Sequence, residues 1–187
     1  MRCCATCFLV YFILIGSAFA EVTENIEYNY YEVNAKAGEP LRPQIFAATP
    51  IRQEGQLFCG SANPNIKWYP QVESDSNGAC HITSVSTIMN VVITLPKLIG
   101  GDELQKTNFD RFFITIREHE LNHYKIDAEG AQEIDSILKD LPPIYHCNEL
   151  KDLADKIANR TWEYFKEKNR QYDRDTTHGL KEGAWVY

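Results

Sequence analysis

The chain is 187 residues long, 44% hydrophobic and 24% charged, with a formal net charge of -7. That length suits one domain with a proper core and is too short for two comfortable ones. The acidic balance, without any dense basic cluster, argues against nucleic acid as a partner.

The first residues read as a targeting segment. Arg2 supplies a short positive region, residues 8–16 (FLVYFILIG) form an apolar stretch too short to span a bilayer, and Ala18 and Ala20 make an A-x-A cleavage site. Residues 1–20 are therefore expected to be a signal peptide. Residues 21–187 are expected to form a single exported domain, secreted or periplasmic, with no stable membrane insertion after cleavage. Cys3, Cys4 and Cys7 fall in the leader, which leaves Cys59, Cys80 and Cys147. An oxidising compartment favours one disulfide among these three and one thiol left over. They lack any C-x-x-C pairing, which gives little support to a zinc site built on cysteine.

The first half of the mature chain reads as β structure. Residues 26–33 are rich in Tyr, Ile and Val, residues 67–72 surround Trp68 and Tyr69, and residues 80–95 are β-branched over most of their length. Residues 38–40, 63–65 and 74–78 carry the Gly, Pro, Asn and Asp of turns. The second half reads as two helices. The spacing predicts the first over about residues 110–141, with Asp110 as N-cap and Pro142 and Pro143 as terminators. The second starts near Asn148, with Leu150, Leu153, Ala154, Ile157, Thr161, Phe165 and Tyr172 on its buried face. A short connection makes the two an antiparallel hairpin.

The stripe of the first helix contains His119, Glu120 and His123, an H-E-x-x-H pattern. Residues four apart lie one turn apart on one helix face, so both imidazoles reach the same metal ion. Neutral imidazole is a good zinc ligand at about 2.0–2.1 Å, and zinc lowers the pKa of a bound water to about 7. Glu120 follows the first ligand and points beside the metal, where a carboxylate serves as general base. Asp127, one turn beyond His123, is placed to hold a ring N–H of a ligand histidine, or else is a solvated acid. Gly130 costs helix stability and allows close approach of another segment.

The third ligand is less evident. Glu163 and Glu167 lie at the right height on the second helix, but its stripe turns them outward. Glu129 points away from the metal unless the first helix breaks. Elimination leaves His178, beside Gly179, folding back over the open face of the metal. His81 and His146 read as a strand side chain and a loop residue.

These residues resemble the bacterial proteins grouped as domain of unknown function 922, described as predicted secreted zinc-dependent proteases. The matching pieces are Tyr30, Tyr31, Glu32 and Val33; Ile66, Lys67, Trp68 and Tyr69; Cys80 opening a strand that ends in Leu95 and Pro96; His119 and His123; and Asn169, Tyr172, Asp173, Thr176, His178 and Gly179. The resemblance spans essentially the whole mature chain. It implies metal ligation by His119, His123 and His178 with Glu120 as base, and names no substrate. It also implies that Cys59 is the odd thiol, because relatives more often carry Thr nearby, and so pairs Cys80 with Cys147.

The expected fold is α+β: an antiparallel or mixed sheet from the N-terminal half, packed against a C-terminal helical hairpin that carries a zincin-like H-E-x-x-H zinc site. The expected activity is hydrolysis of a peptide bond with Zn(2+), with Glu120 activating water and Tyr172 stabilising the oxyanion. A cell-wall amide as substrate, and a binding or structural protein that keeps its metal only for stability, are the alternatives.

Overall fold

The computed structural model describes residues 22–186 apart from Glu54. The expected leader and its cleavage site lie outside the described residues. In chain order the elements are β1 (Val22–Ala35), α1 (Leu41–Ala48), β2 (Arg52–Gln53), β3 (Gln56–Leu57), β4 (Ser61–Ser74), β5 (Cys80–Gly100), α2 (Glu103–Lys139), α3 (Cys147–Thr176) and a 3-10 turn at Leu180–Glu182.

A three-stranded sheet has the order β1-β5-β4, with β1 parallel and β4 antiparallel to the long central β5. It is thus a mixed sheet. Between Val85 and Leu95 the odd-numbered residues of β5 are buried, the period-2 pattern of a strand with one covered face. Met89, Val91, Ile93 and Leu95 pack with Phe109, Phe112 and Ile116 of α2 and with Leu41 and Ile45 of α1 in one core cluster. A second cluster joins Val85 to Ile134 and Leu138 of α2 and to Ala154 and Ala158 of α3. Each fully buried large side chain contributes about 1.5–3 kcal/mol.

Two sequence expectations are corrected, and one further helix is found. Residues 63–65 are not a turn but part of β4, which carries Pro64 and Pro70 and runs along the sheet edge; an edge strand tolerates proline where no partner requires the N–H. Helix α2 begins at Glu103, not near Asp110. Asp102 accepts from the Gln105 backbone N–H at 2.9 Å while the Gln105 side chain accepts from the Asp102 N–H at 2.8 Å, a complete capping box. Helix α1, with Pro40 before it and Pro43 in its first turn, was hidden by its prolines, which are permitted at a helix start.

The two long helices form the expected antiparallel hairpin, and the approach is close. A Cβ built on Gly130 of α2 would lie 2.8 Å from Cγ of Phe165 on α3. A disulfide joins Cys80, at the start of β5, to Cys147, at the start of α3, and Cys59 is free. Among the described residues no helix is long and apolar enough to cross a membrane.

Candidate metal centre

Helix α2 runs unbroken through the H-E-x-x-H pattern, so His119, Glu120, His123 and Asp127 lie on one inward face. All four are buried. The opposing wall is α3, which extends to Thr176 and so brings Asn169, Tyr172 and Asp173 to the same height.

Each imidazole is anchored through its Nδ1. His119 Nδ1 is 2.8 Å from Glu182 Oε2, and His123 Nδ1 is 2.8 Å from Asn169 Oδ1. Asn169 in turn donates to Asp127 Oδ1 at 2.6 Å. Tyr172 stacks on His119 with ring centroids 4.9 Å apart. Its hydroxyl donates to Glu182 Oε1 at 2.6 Å and accepts from Asn122 at 2.9 Å. Both Nδ1 atoms thus face acceptor oxygens to which they can donate, and both Nε2 atoms are turned inward toward Asp173.

The inward atoms converge. His119 Nε2 and His123 Nε2 are 3.2 Å apart, and Asp173 Oδ1 is 3.2 Å from the first and 3.0 Å from the second. His119, His123 and Asp173 form a group able to hold a metal ion. The three inward atoms can share a proton or hold a metal ion between them. A proton and a metal compete for that place. The proton side of this competition is visible at His123: burial works against its charged form, but Asp173, Asn169 and Glu120 outweigh it and raise its pKa to about 9. Asp173 is held well below the usual carboxylate range, because its hydrogen bonds to His119 and His123 overcome the cost of burial. Three donors at zinc-ligand distance in a tetrahedron are about 3.3 Å apart, so the set fits such an ion.

Glu120 stands beside this triangle. Gly60, just before β4, passes so close that an added Cβ would lie 2.5 Å from Glu120 Oε1. The carboxylate takes a backbone hydrogen bond from Ala62, while burial pushes its pKa up to about 7 against the pull of His123 and His119.

His178 does not join the group of three. Thr177, His178 and Gly179 all have left-handed backbone, with φ of 53°, 51° and 80°, and this bend carries the chain back over the site. It sets His178 Nδ1 3.2 Å from the same Asp173 Oδ1, with the ring against Phe58 at 4.8 Å. Asp127 reaches His123 only through Asn169. Glu163 and Glu167 are exposed and paired with Lys166 and Arg170, and Glu129 is paired with Lys168, in keeping with their predicted outward phase. Asp173 and Glu182 went unassigned in the sequence reading. For Asp173 a signal existed: the stripe through Phe165 and Asn169 reaches it in another step of four.

The triangle opens into a cleft of about 1020 Å³, walled by α1, strands β2 and β3, α3 and the C-terminal segment.

The model of a family described as "Bacterial protein of unknown function (DUF922)" matches residues 28–179. The chain belongs to this family. The DUF922 match takes in His119, Glu120, His123, Asp173 and His178 and stops just before Glu182, so the anchor of His119 lies outside it. Neither a curated protein nor a solved structure matches the chain.

Proposed function

We propose that this DUF922 protein is an exported, zincin-like zinc hydrolase of peptide bonds, with His119, His123 and Asp173 as its metal ligands. The observation that carries the reading is the convergence of His119 Nε2, His123 Nε2 and Asp173 Oδ1 beside the Glu120 carboxylate, at an open cleft. Two imidazoles and a carboxylate suit zinc, and three protein ligands leave a position for water, the pattern of catalytic sites. Zinc, when bound, supplies a water that ionises near neutral pH and polarises the substrate carbonyl.

The chain's own residues do the rest. Glu120 accepts a proton from water at its carboxylate and passes it to the leaving nitrogen. Glu182 and Asn169 hold the two imidazoles with their protons at Nδ1. His178 steadies Asp173 from the cleft side. The commitment of the Tyr172 hydroxyl to Glu182 favours a positioning role through His119 over contact with the oxyanion. Export is supported by the Cys80–Cys147 disulfide together with the leader-like residues 1–20. The same chemistry serves an amide in a cell-wall peptide.

The test is cleavage of a peptide library and of peptidoglycan fragments by zinc-loaded protein, with and without chelator. The expected result is activity that chelation abolishes and zinc restores. Glu120→Gln should keep its zinc and lose activity by about 100-fold or more. Activity indifferent to chelator, or undiminished in Glu120→Gln, contradicts the proposal.

A further inference from the structure

We infer that the cleft selects acidic segments, with Lys166 and Arg170 reading substrate carboxylates on one flank of the metal centre and Arg42 on the other. This names a substrate class for the hydrolase proposed above, and rests on that reading only for what happens to the segment once bound.

The charges along the cleft run against those of the whole molecule. The chain carries a formal net charge of -7. Yet among the described residues the cleft's carboxylates are Glu120, Asp127 and Asp173. The first two are only 4% and 1% exposed, and the third belongs to the metal triangle. The charged side chains that line the walls beyond the centre are Arg42, Lys166 and Arg170. A concave wall bearing one sign of charge focuses its field on whatever enters.

The two cations of α3 are placed for this. Lys166 pairs with Glu163 at 2.5 Å and Arg170 with Glu167 at 2.7 Å. Both glutamates lie outside the cleft, and exposed pairs of this kind are weak, so either cation can turn to a ligand. Arg170 and Lys166 precede Asp173 by three and seven residues on one helix, which is about 4.5 and about 10.5 Å along its axis. An extended chain advances about 3.3 Å per residue. Laid along α3, a substrate would thus offer acidic side chains to these cations at about one to three residues from the bond cut. Arg42 stands on α1 across the cleft, its guanidinium 5.5 Å from the Phe46 ring centroid. Its charge opposes the burial that pushes the Cys59 thiol up to about 11.

Trp162 and Trp185 also line the cleft, so intrinsic fluorescence reports entry. The probes are end-blocked octapeptides of one neutral sequence in which a single Asp, Asn or Lys is moved along the chain. They are titrated into Glu120→Gln protein, with and without zinc, at about 50 and about 500 mM salt. Asp peptides should bind about tenfold or more tighter than Lys peptides at low salt, with a gap that narrows as salt rises. Lys166→Gln with Arg170→Gln should erase the preference for Asp on one flank, with zinc content and thermal melting unchanged. Equal affinity for all three series, or a positional preference for Asp that is the same in the double variant as in the parent, overturns the inference. The same peptides are then offered to the unsubstituted protein with zinc. Tight Asp-dependent binding without cleavage keeps acidic selection and removes the hydrolase. Cleavage without charge preference keeps the hydrolase and removes acidic selection.

Discussion

Two imidazoles are held with their Nε2 atoms 3.2 Å apart, and what keeps them there is the pair of oxygens behind them. Glu182 fixes His119 and Asn169 fixes His123, and loss of such a partner typically weakens metal affinity by about 10–100-fold. Glu182→Gln should therefore raise the zinc Kd by about that factor while leaving the fold intact, as read by competition with a chromogenic chelator and by circular dichroism. An unchanged Kd would mean that Glu182 is only a surface acid. A second prediction concerns Gly60. Any Cβ there meets Glu120 Oε1 at 2.5 Å and Cγ1 of Ile116 at 3.0 Å, so Gly60→Ala should lower stability by about 1–3 kcal/mol in denaturant unfolding. At this scale the sequence was legible where spacing alone decides, as for His119, Glu120 and His123. For Asp173 it was legible only in part, because the step of four from Asn169 reaches it but the assignment needs α3 to continue beyond Tyr172, as it does to Thr176. It was not legible for Glu182, which returns to His119 only through the left-handed bend at Thr177, His178 and Gly179.

The helical hairpin depends on how near α3 comes to α2. Gly130 sits mid-helix, where alanine is ordinarily worth about 1 kcal/mol more. Here the added methyl would lie 2.8 Å from Cγ and 3.0 Å from Cβ of Phe165, atoms close to the backbone that cannot swing aside. Gly130→Ala should therefore destabilise, and a raised thermal midpoint would show that the helices can part at little cost. Both helices were legible from their apolar periodicity, and the start of α2 was missed because its capping box lies before the long stripe. The strands show the same division. The β-branched run of β5 announced a strand, but β4 was read short, because residues 63–65 with Pro64 look like punctuation until the strand is known to lie on an edge.

In the whole molecule the mixed α+β character was legible, whereas the parallel pairing of β1 with β5 was not. Val22 pairs with Thr87, and nothing local in either segment encodes a contact over that distance. The disulfide adds a side-chain covalent link between the sheet and the helical hairpin. It joins residues 67 apart, a loop whose closure is worth about 4 kcal/mol in the chain-entropy model. Cys80→Ser with Cys147→Ser should lose stability of that order in denaturant unfolding. The site lies near the opposite end of α3, so native variant should still bind metal. Loss of metal from the folded double variant would contradict this separation. The central claim is that Asp173, with His119 and His123, holds the ion while His178 supports it from outside. Zinc per chain, measured by plasma emission after gel filtration, tests this most directly. The account predicts about one zinc in the unsubstituted protein, little in Asp173→Ala and in His123→Ala, and substantial retention in His178→Ala; full zinc in Asp173→Ala, with its loss in His178→Ala, would contradict it.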